Sequence, residues 1–119
     1  MGATLDMFRN ESDGLAYAAG QGIFSKGDEG KSMYVVLEGE VDLRIDGVLV
    51  ETLGPGEPFG EMALIDHAPR VATATARTAC KVVEIPEKRF LFLVQQTPYF
   101  SLQIMRAMAE RLRKMNDRR

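Results

Sequence analysis

The chain is poor in the residues that build metal and redox centres. Its 119 residues include one cysteine, Cys80, one histidine, His67, and no tryptophan. A single cysteine excludes an intrachain disulfide and favours a reducing compartment. A single histidine excludes the usual zinc ligand sets. His67, between Asp66 and Ala68, therefore reads as a solvated loop residue, and Cys80 as a small core residue. No serine stands near the histidine, so no nucleophile and base come together, and metal-dependent hydrolysis lacks its ligands. The expectation is a protein that is not an enzyme. No apolar run approaches the roughly 18 residues of a membrane helix. No charged leader followed by an apolar stretch opens the chain, and MGATLD has Asp6 where a myristoylation signal needs Ser or Thr. A cytoplasmic protein with no membrane contact is expected.

What is present suits one folded domain, taken as residues 1–119. Hydrophobic residues make up 45% and charged residues 27%, which argues against disorder. The net charge of −2 is unevenly placed. Residues 106–119 hold six basic and two acidic side chains, leaving that tail at +4 and the rest at −6. Basic residues late in a helix suit its negative end, so a solvated, dipole-matched helix tip is the plain reading and nucleic acid is not an expected partner.

Glycines punctuate the first half, with short β-prone pieces between them. In SMYVVLEG, Met33, Val35 and Leu37 share one face. In VDLRI, Val41, Leu43 and Ile45 alternate with outward Asp42 and Arg44. Asp46-Gly47 between VDLRI and VLVETL predicts a tight hairpin, whose central residues need positive φ. ATATAR and CKVVEI supply two more strands. Pro86 then opens a helix through PEKRFLFLVQQ, Thr97-Pro98 breaks it, and a longer amphipathic helix follows. On that last helix Met105, Met108, Leu112 and Met115 form one apolar stripe, with Leu102 and Ala109 alongside. At the front, only Leu5, Met7 and Phe8 offer anchors for a short helix. Many short strands at turn-rich spacing predict a β-rich body, a sandwich or barrel closed on itself, followed by two helices over about 87–117.

The segment FGEMALIDHAPRVATATA (residues 59–76) carries the chemistry. Glu61 and Arg70 stand nine residues apart in a mostly apolar run. An isolated buried charge costs several kcal/mol, so either the two pair with each other or a ligand satisfies them. A short helix opening after Gly60 aims free amides at whatever precedes it. Arg70 offers a forked cation for phosphate oxygens, and Glu61 an acceptor for a sugar hydroxyl. Small Ala63 and Ala72 allow close approach to the backbone. Together these describe a sugar-phosphate site.

The segment resembles the phosphate-binding cassette of the cyclic nucleotide-binding domains, F-G-E-x-A-L followed by P-R-x-A-T-x-x-A. FGEMAL, IDHA and PRVATATA meet every fixed position. IFSKGDEGKSMYVVLEGEVDL is similar to the family's earlier strands, and the resemblance spans about 16–115. It implies a mainly β fold with C-terminal helices: an antiparallel β-roll or jelly roll over about 16–86, a short phosphate-binding helix and two helices after it. It also implies that Arg70 pairs with the cyclic phosphate and Glu61 accepts from the ribose 2′-hydroxyl, with amides around Gly60, Ala63 and Val71 completing the seat. The implied ligand-binding residues are Gly60, Glu61, Met62, Ala63, Arg70, Val71 and Ala72. Val71 stands where cGMP-preferring relatives often place Thr or Ser, which favours cAMP over cGMP. The family further implies a last helix that closes over the base as lid and relay, here around Ile104, Met108 and Leu112. The ligand is thus a cyclic nucleotide, with no metal and no cofactor, and the partner an effector protein or fused effector domain. Two other readings stay open. One is a degenerate domain for protein interaction, with a homodimer through the C-terminal helix. The other is a fragment of a catabolite-activator-type transcription regulator.

Overall fold

The computed structural model describes Phe8 and residues 14–117. Leu5 and Met7, two of the three expected front anchors, lie outside the described residues; Phe8 is buried.

Eleven elements follow in chain order: β1 (Leu15–Tyr17), β2 (Gly22–Phe24), β3 (Ser32–Glu38), β4 (Val41–Ile45), β5 (Val48–Leu53), β6 (Pro58–Phe59), α1 (Met62–Asp66), β7 (Thr73–Ala76), β8 (Cys80–Pro86), α2 (Glu87–Gln96) and α3 (Pro98–Asp117). The strands form two four-stranded sheets, ordered β1-β8-β3-β6 and β2-β7-β4-β5. Every pairing is antiparallel. This is the β-rich body followed by helices that the residue pattern predicts, in the β-roll form that the family resemblance implies.

The strand β3 shows how the layers stack. Tyr34 and Val36 point between the sheets, where they meet Val41, Leu43, Leu53, Phe59, Ala74, Ala76, Cys80 and Val82. Met33 and Val35 point the other way, into a second cluster with Leu64, Val83, Ile85, Phe90, Leu93, Phe100 and Ile104. Both faces of this strand are therefore covered, which is why its sequence is almost continuously apolar. Phe90 and Phe8 each meet Phe100 edge-on, at centroid distances of 5.9 and 6.4 Å.

The Asp46-Gly47 hairpin forms with φ of 51° and 82°, as its turn chemistry demands. Beyond the turn the pairing is not ideal. Arg44 faces Leu49, but Leu43 faces Glu51, so Val50 is an extra residue in β5. A bulge of this kind shifts the register by one and turns the following side chains to the opposite face. Glu51 is carried inward as a result, to 7% exposure. On β4, Asp42 was expected to face water and instead is buried. Thr52 Oγ1 donates to it at 2.7 Å, and Arg44 and Arg77 approach it at 3.6 and 3.5 Å.

The last helix is rotated relative to the expected stripe. Its buried seam is Phe100, Ile104 and Ala107, while Leu102, Met105, Leu112 and Met115 are exposed. The sequence offers two overlapping apolar faces, and packing against α2 selects the one with the bulky Phe100 and Ile104. Among the described residues, no helix is long and apolar enough to cross a membrane.

Candidate functional site

A cavity of about 470 Å³ opens between the β2-β7-β4-β5 sheet, the α1 segment and α3. That volume suits a small organic ligand, for which roughly 300–1,000 Å³ is usual. Gly60, Glu61, Met62, Ala63, Arg70, Val71 and Ala72 all line it, together with Phe24, Leu43, Ile45 and Val50 from the strands. From α3 come Met108, Ala109, Arg111, Leu112 and Met115. Ile104, expected in the lid, is not among the residues lining this cavity; it is 3% exposed and packs in the helix-side core with Phe100. It stands one turn before Met108 on the same helix face, and Met108 both touches that core and lines the cavity with Leu112.

The β6–α1 corner is built by Gly60, whose φ of 80° lets the chain turn from strand into helix. Leu64 and Ile65 both bond back to the Glu61 carbonyl, at 3.0 and 3.1 Å, which starts α1 at once. The helix ends after one turn at His67, in the left-handed conformation. The His67 side chain is exposed and approaches Glu87 at 3.6 Å.

Arg70 is pinned through its backbone. Its amide donates to the Asp28 carbonyl, and its carbonyl accepts from the Gly27 amide, both at 2.8 Å. The side chain is 6% exposed. One terminal nitrogen donates to the Gly60 carbonyl and the other to the Ser32 carbonyl, each at 2.7 Å. The guanidinium lies over the Phe24 ring at 4.1 Å. Its Nε is buried and has no hydrogen-bond partner among the described residues. Space around it is tight: a Cβ on Gly30 would come within 2.7 Å of that Nε and 2.5 Å of Ala63 Cβ. Burial pulls the Arg70 guanidinium below its ordinary pKa, and the nearby Tyr34, Glu61 and Asp28 oppose this.

Glu61 does not take Arg70 as its hydrogen-bonded partner. Its carboxylate, 2% exposed, faces Arg111 of α3, whose Nη1 lies 3.3 and 3.4 Å from the two oxygens. Arg111 also donates from Nε to Glu51 Oε1 at 2.6 Å and from Nη2 to the Pro58 carbonyl at 3.0 Å. Lys114 reaches the other oxygen of Glu51 at 3.0 Å. Burial pushes the Glu61 carboxyl up from its ordinary range, and Arg111 draws it partway back. Burial lowers Arg111 in turn, but the Glu61 and Glu51 carboxylates more than offset this and hold it above its ordinary value.

Sequence reasoning missed both Arg111 and Glu51. Arg111 reads as one more cation on a basic helix tip, yet its side chain is only 14% exposed. Its position follows the buried seam at helical spacing from Ile104 and Ala107, a signal that appears once the seam is known.

Comparison with known proteins shows the family and the fold. A sequence model of the cyclic nucleotide-binding domain matches residues 15–97. The chain is similar to a cAMP-dependent protein kinase regulatory subunit of Eremothecium gossypii, 49% identical over 61 residues, covering 51% of this chain and 13% of the relative. It is also similar to a CRP-like cAMP-activated global transcriptional regulator of Mycobacterium tuberculosis, 29% identical over 106 residues, covering 85% of this chain and 47% of the relative. The chain thus spans less than half the length of either. Among solved structures, the catabolite activator protein of Thermus thermophilus superposes with a TM-score of 0.77 at 31% identity, over 93% of this chain and 55% of the other.

Proposed function

The chain belongs to the cyclic nucleotide-binding domain family, and on that premise we propose that it is a non-catalytic sensor of cAMP. The cyclic phosphate sits against Arg70 and the amides around Gly60, Ala63 and Val71. The ribose 2′-hydroxyl donates to Glu61. The base then falls against the apolar wall of Leu43, Ile45 and Val50, with Met108 and Leu112 above it. Met62 and Ala72 complete the enclosure.

The observation that carries this reading is the state of Arg70. A guanidinium has five N–H donors, and this one is buried, bonded to two carbonyls, and left with an Nε that has no partner among the described residues. A buried cation with unmet donors beside a cavity of nucleotide size favours an anion as the missing partner. Adenine is favoured over guanine because Val71 brings no hydroxyl to a guanine amino group. The rest of the cavity wall is apolar apart from Glu61, Arg70 and Arg111. Both sequence relatives carry cAMP in their names and act as regulators, which agrees with a signalling role.

In this reading ligand occupancy shifts α3 between two positions, and an effector reads the shift. Titration calorimetry with cAMP and cGMP tests the proposal. cAMP binds more tightly to the unaltered protein. A folded Arg70→Ala variant loses about 100-fold or more in affinity, since it removes charge-assisted bonds worth about 1.5–3 kcal/mol each. Glu61→Ala loses less. Unchanged affinity in folded Arg70→Ala would refute the phosphate assignment.

A further inference from the structure

Glu51 is a buried carboxylate that the nucleotide reading leaves without a task. The extra residue Val50 turns it inward, opposite Leu43. Its side chain is 6% exposed and faces α3, where it takes Arg111 Nε at 2.6 Å and Lys114 Nζ at 3.0 Å. The same guanidinium reaches Glu61 only at 3.3 and 3.4 Å, beyond the 2.7–2.9 Å usual for a charge-assisted bond. One arginine is thus shared unequally between two buried carboxylates, and the nearer one is not the one at the sugar position.

The inequality has a chemical consequence. A forked, close Arg111–Glu61 pair would occupy both Glu61 oxygens. Held off by its bond to Glu51, Arg111 balances the charge of Glu61 through one long contact to each oxygen, which leaves each oxygen a second lone pair for a closer donor. We propose that Glu51 is a positioning residue for sugar recognition: it restrains Arg111 from closing onto Glu61, so that the Glu61 oxygens remain open to a ribose hydroxyl. Lys114 compensates the second carboxylate, and the bulge at Val50 is what delivers Glu51 to the interior. The inference rests on the cyclic-nucleotide reading of the cavity.

Calorimetry with cAMP and 2′-deoxy-cAMP, on the unaltered protein and on Glu51→Gln, tests it. The unaltered protein binds the deoxy compound about tenfold to a hundredfold more weakly, as expected for one hydrogen bond to a charged group. In Glu51→Gln the affinity for cAMP falls toward that for the deoxy compound, which itself changes little, so the discrimination collapses. A residue that merely supports the fold would weaken both ligands alike, and an unchanged ratio overturns the proposal. Glu51→Asp keeps the charge with a shorter reach and gives an intermediate ratio. Should only that variant fold, an unchanged ratio in it is the overturning result. No binding of either ligand by the unaltered protein overturns the nucleotide reading and this inference with it. Equal binding of the two ligands there overturns the assignment of the ribose to Glu61.

Discussion

The guanidinium carbon of Arg70 lies 4.1 Å from the centroid of the Phe24 ring. Phe24 in turn packs on Tyr34 and Phe59 at 5.9 and 6.0 Å, so the arginine rests on an aromatic floor between the sheets. This floor, with the two carbonyls it adjoins, holds a cation in a place that water scarcely reaches.

Phe24→Leu keeps an apolar side chain and removes the ring face. A cation–π contact is worth about 0.5–2 kcal/mol, so affinity for cAMP should fall between about twofold and thirtyfold. The cost in stability should be near 1 kcal/mol. Calorimetry beside a thermal melt separates the two effects. An affinity equal to that of the unaltered protein would show that the ring does not hold Arg70 in its binding position.

Glu61 should make the fold less stable as acid is neutralised. Burial raises its carboxyl above the ordinary value of 4.5. The folded state therefore holds this proton more tightly than the unfolded chain does. Stability from this group is fully present below the ordinary value and declines as pH rises from there through the raised folded value. Glu61→Gln removes that dependence. At pH 7 it should melt no lower than the unaltered protein, with the difference shrinking below pH 4.5, while its affinity for cAMP drops. A Glu61→Gln variant melting well below the unaltered protein at pH 7 would mean that the pairing with Arg111 outweighs the burial.

Ile104 and Leu112 lie on one helix and should answer to different assays. Ile104→Ala empties part of the core and should cost about 2–5 kcal/mol, with little change in the affinity of the folded protein. Leu112 is 60% exposed and lines the cavity. Leu112→Ala should alter stability by less than about 0.5 kcal/mol and weaken cAMP binding a few-fold. Equal loss of affinity in both variants would place the lid surface elsewhere on α3.

Local chemistry made much of this molecule readable in one dimension. The Asp46-Gly47 turn needs positive φ at both residues, and only a short list of residue pairs accepts that. Pro86 suits the entry to α2, and Thr97 closes the helix where Pro98 begins the next. The charged pair at 61 and 70 stands out because apolar surroundings make an isolated ion costly. The strands β1, β2 and β6 escaped notice, since two or three residues carry no usable alternation.

The sequence by itself determined the roll, the turn between β4 and β5, and the two residues around which the cavity is organised, because each depends on neighbours within a few positions. Which partner each charge took was decided in three dimensions. An ideal hairpin register would set Glu51 opposite Asp42 and facing out; one extra residue at Val50 sends it in. Arg111 meets Glu61 across fifty residues of chain because α3 buries the Phe100–Ile104 face in preference to the methionine stripe. Both outcomes turn on competition between nearly equal alternatives, a register shifted by one residue and a helix rotated by one face. Only the packing of distant elements against each other separates such alternatives in energy.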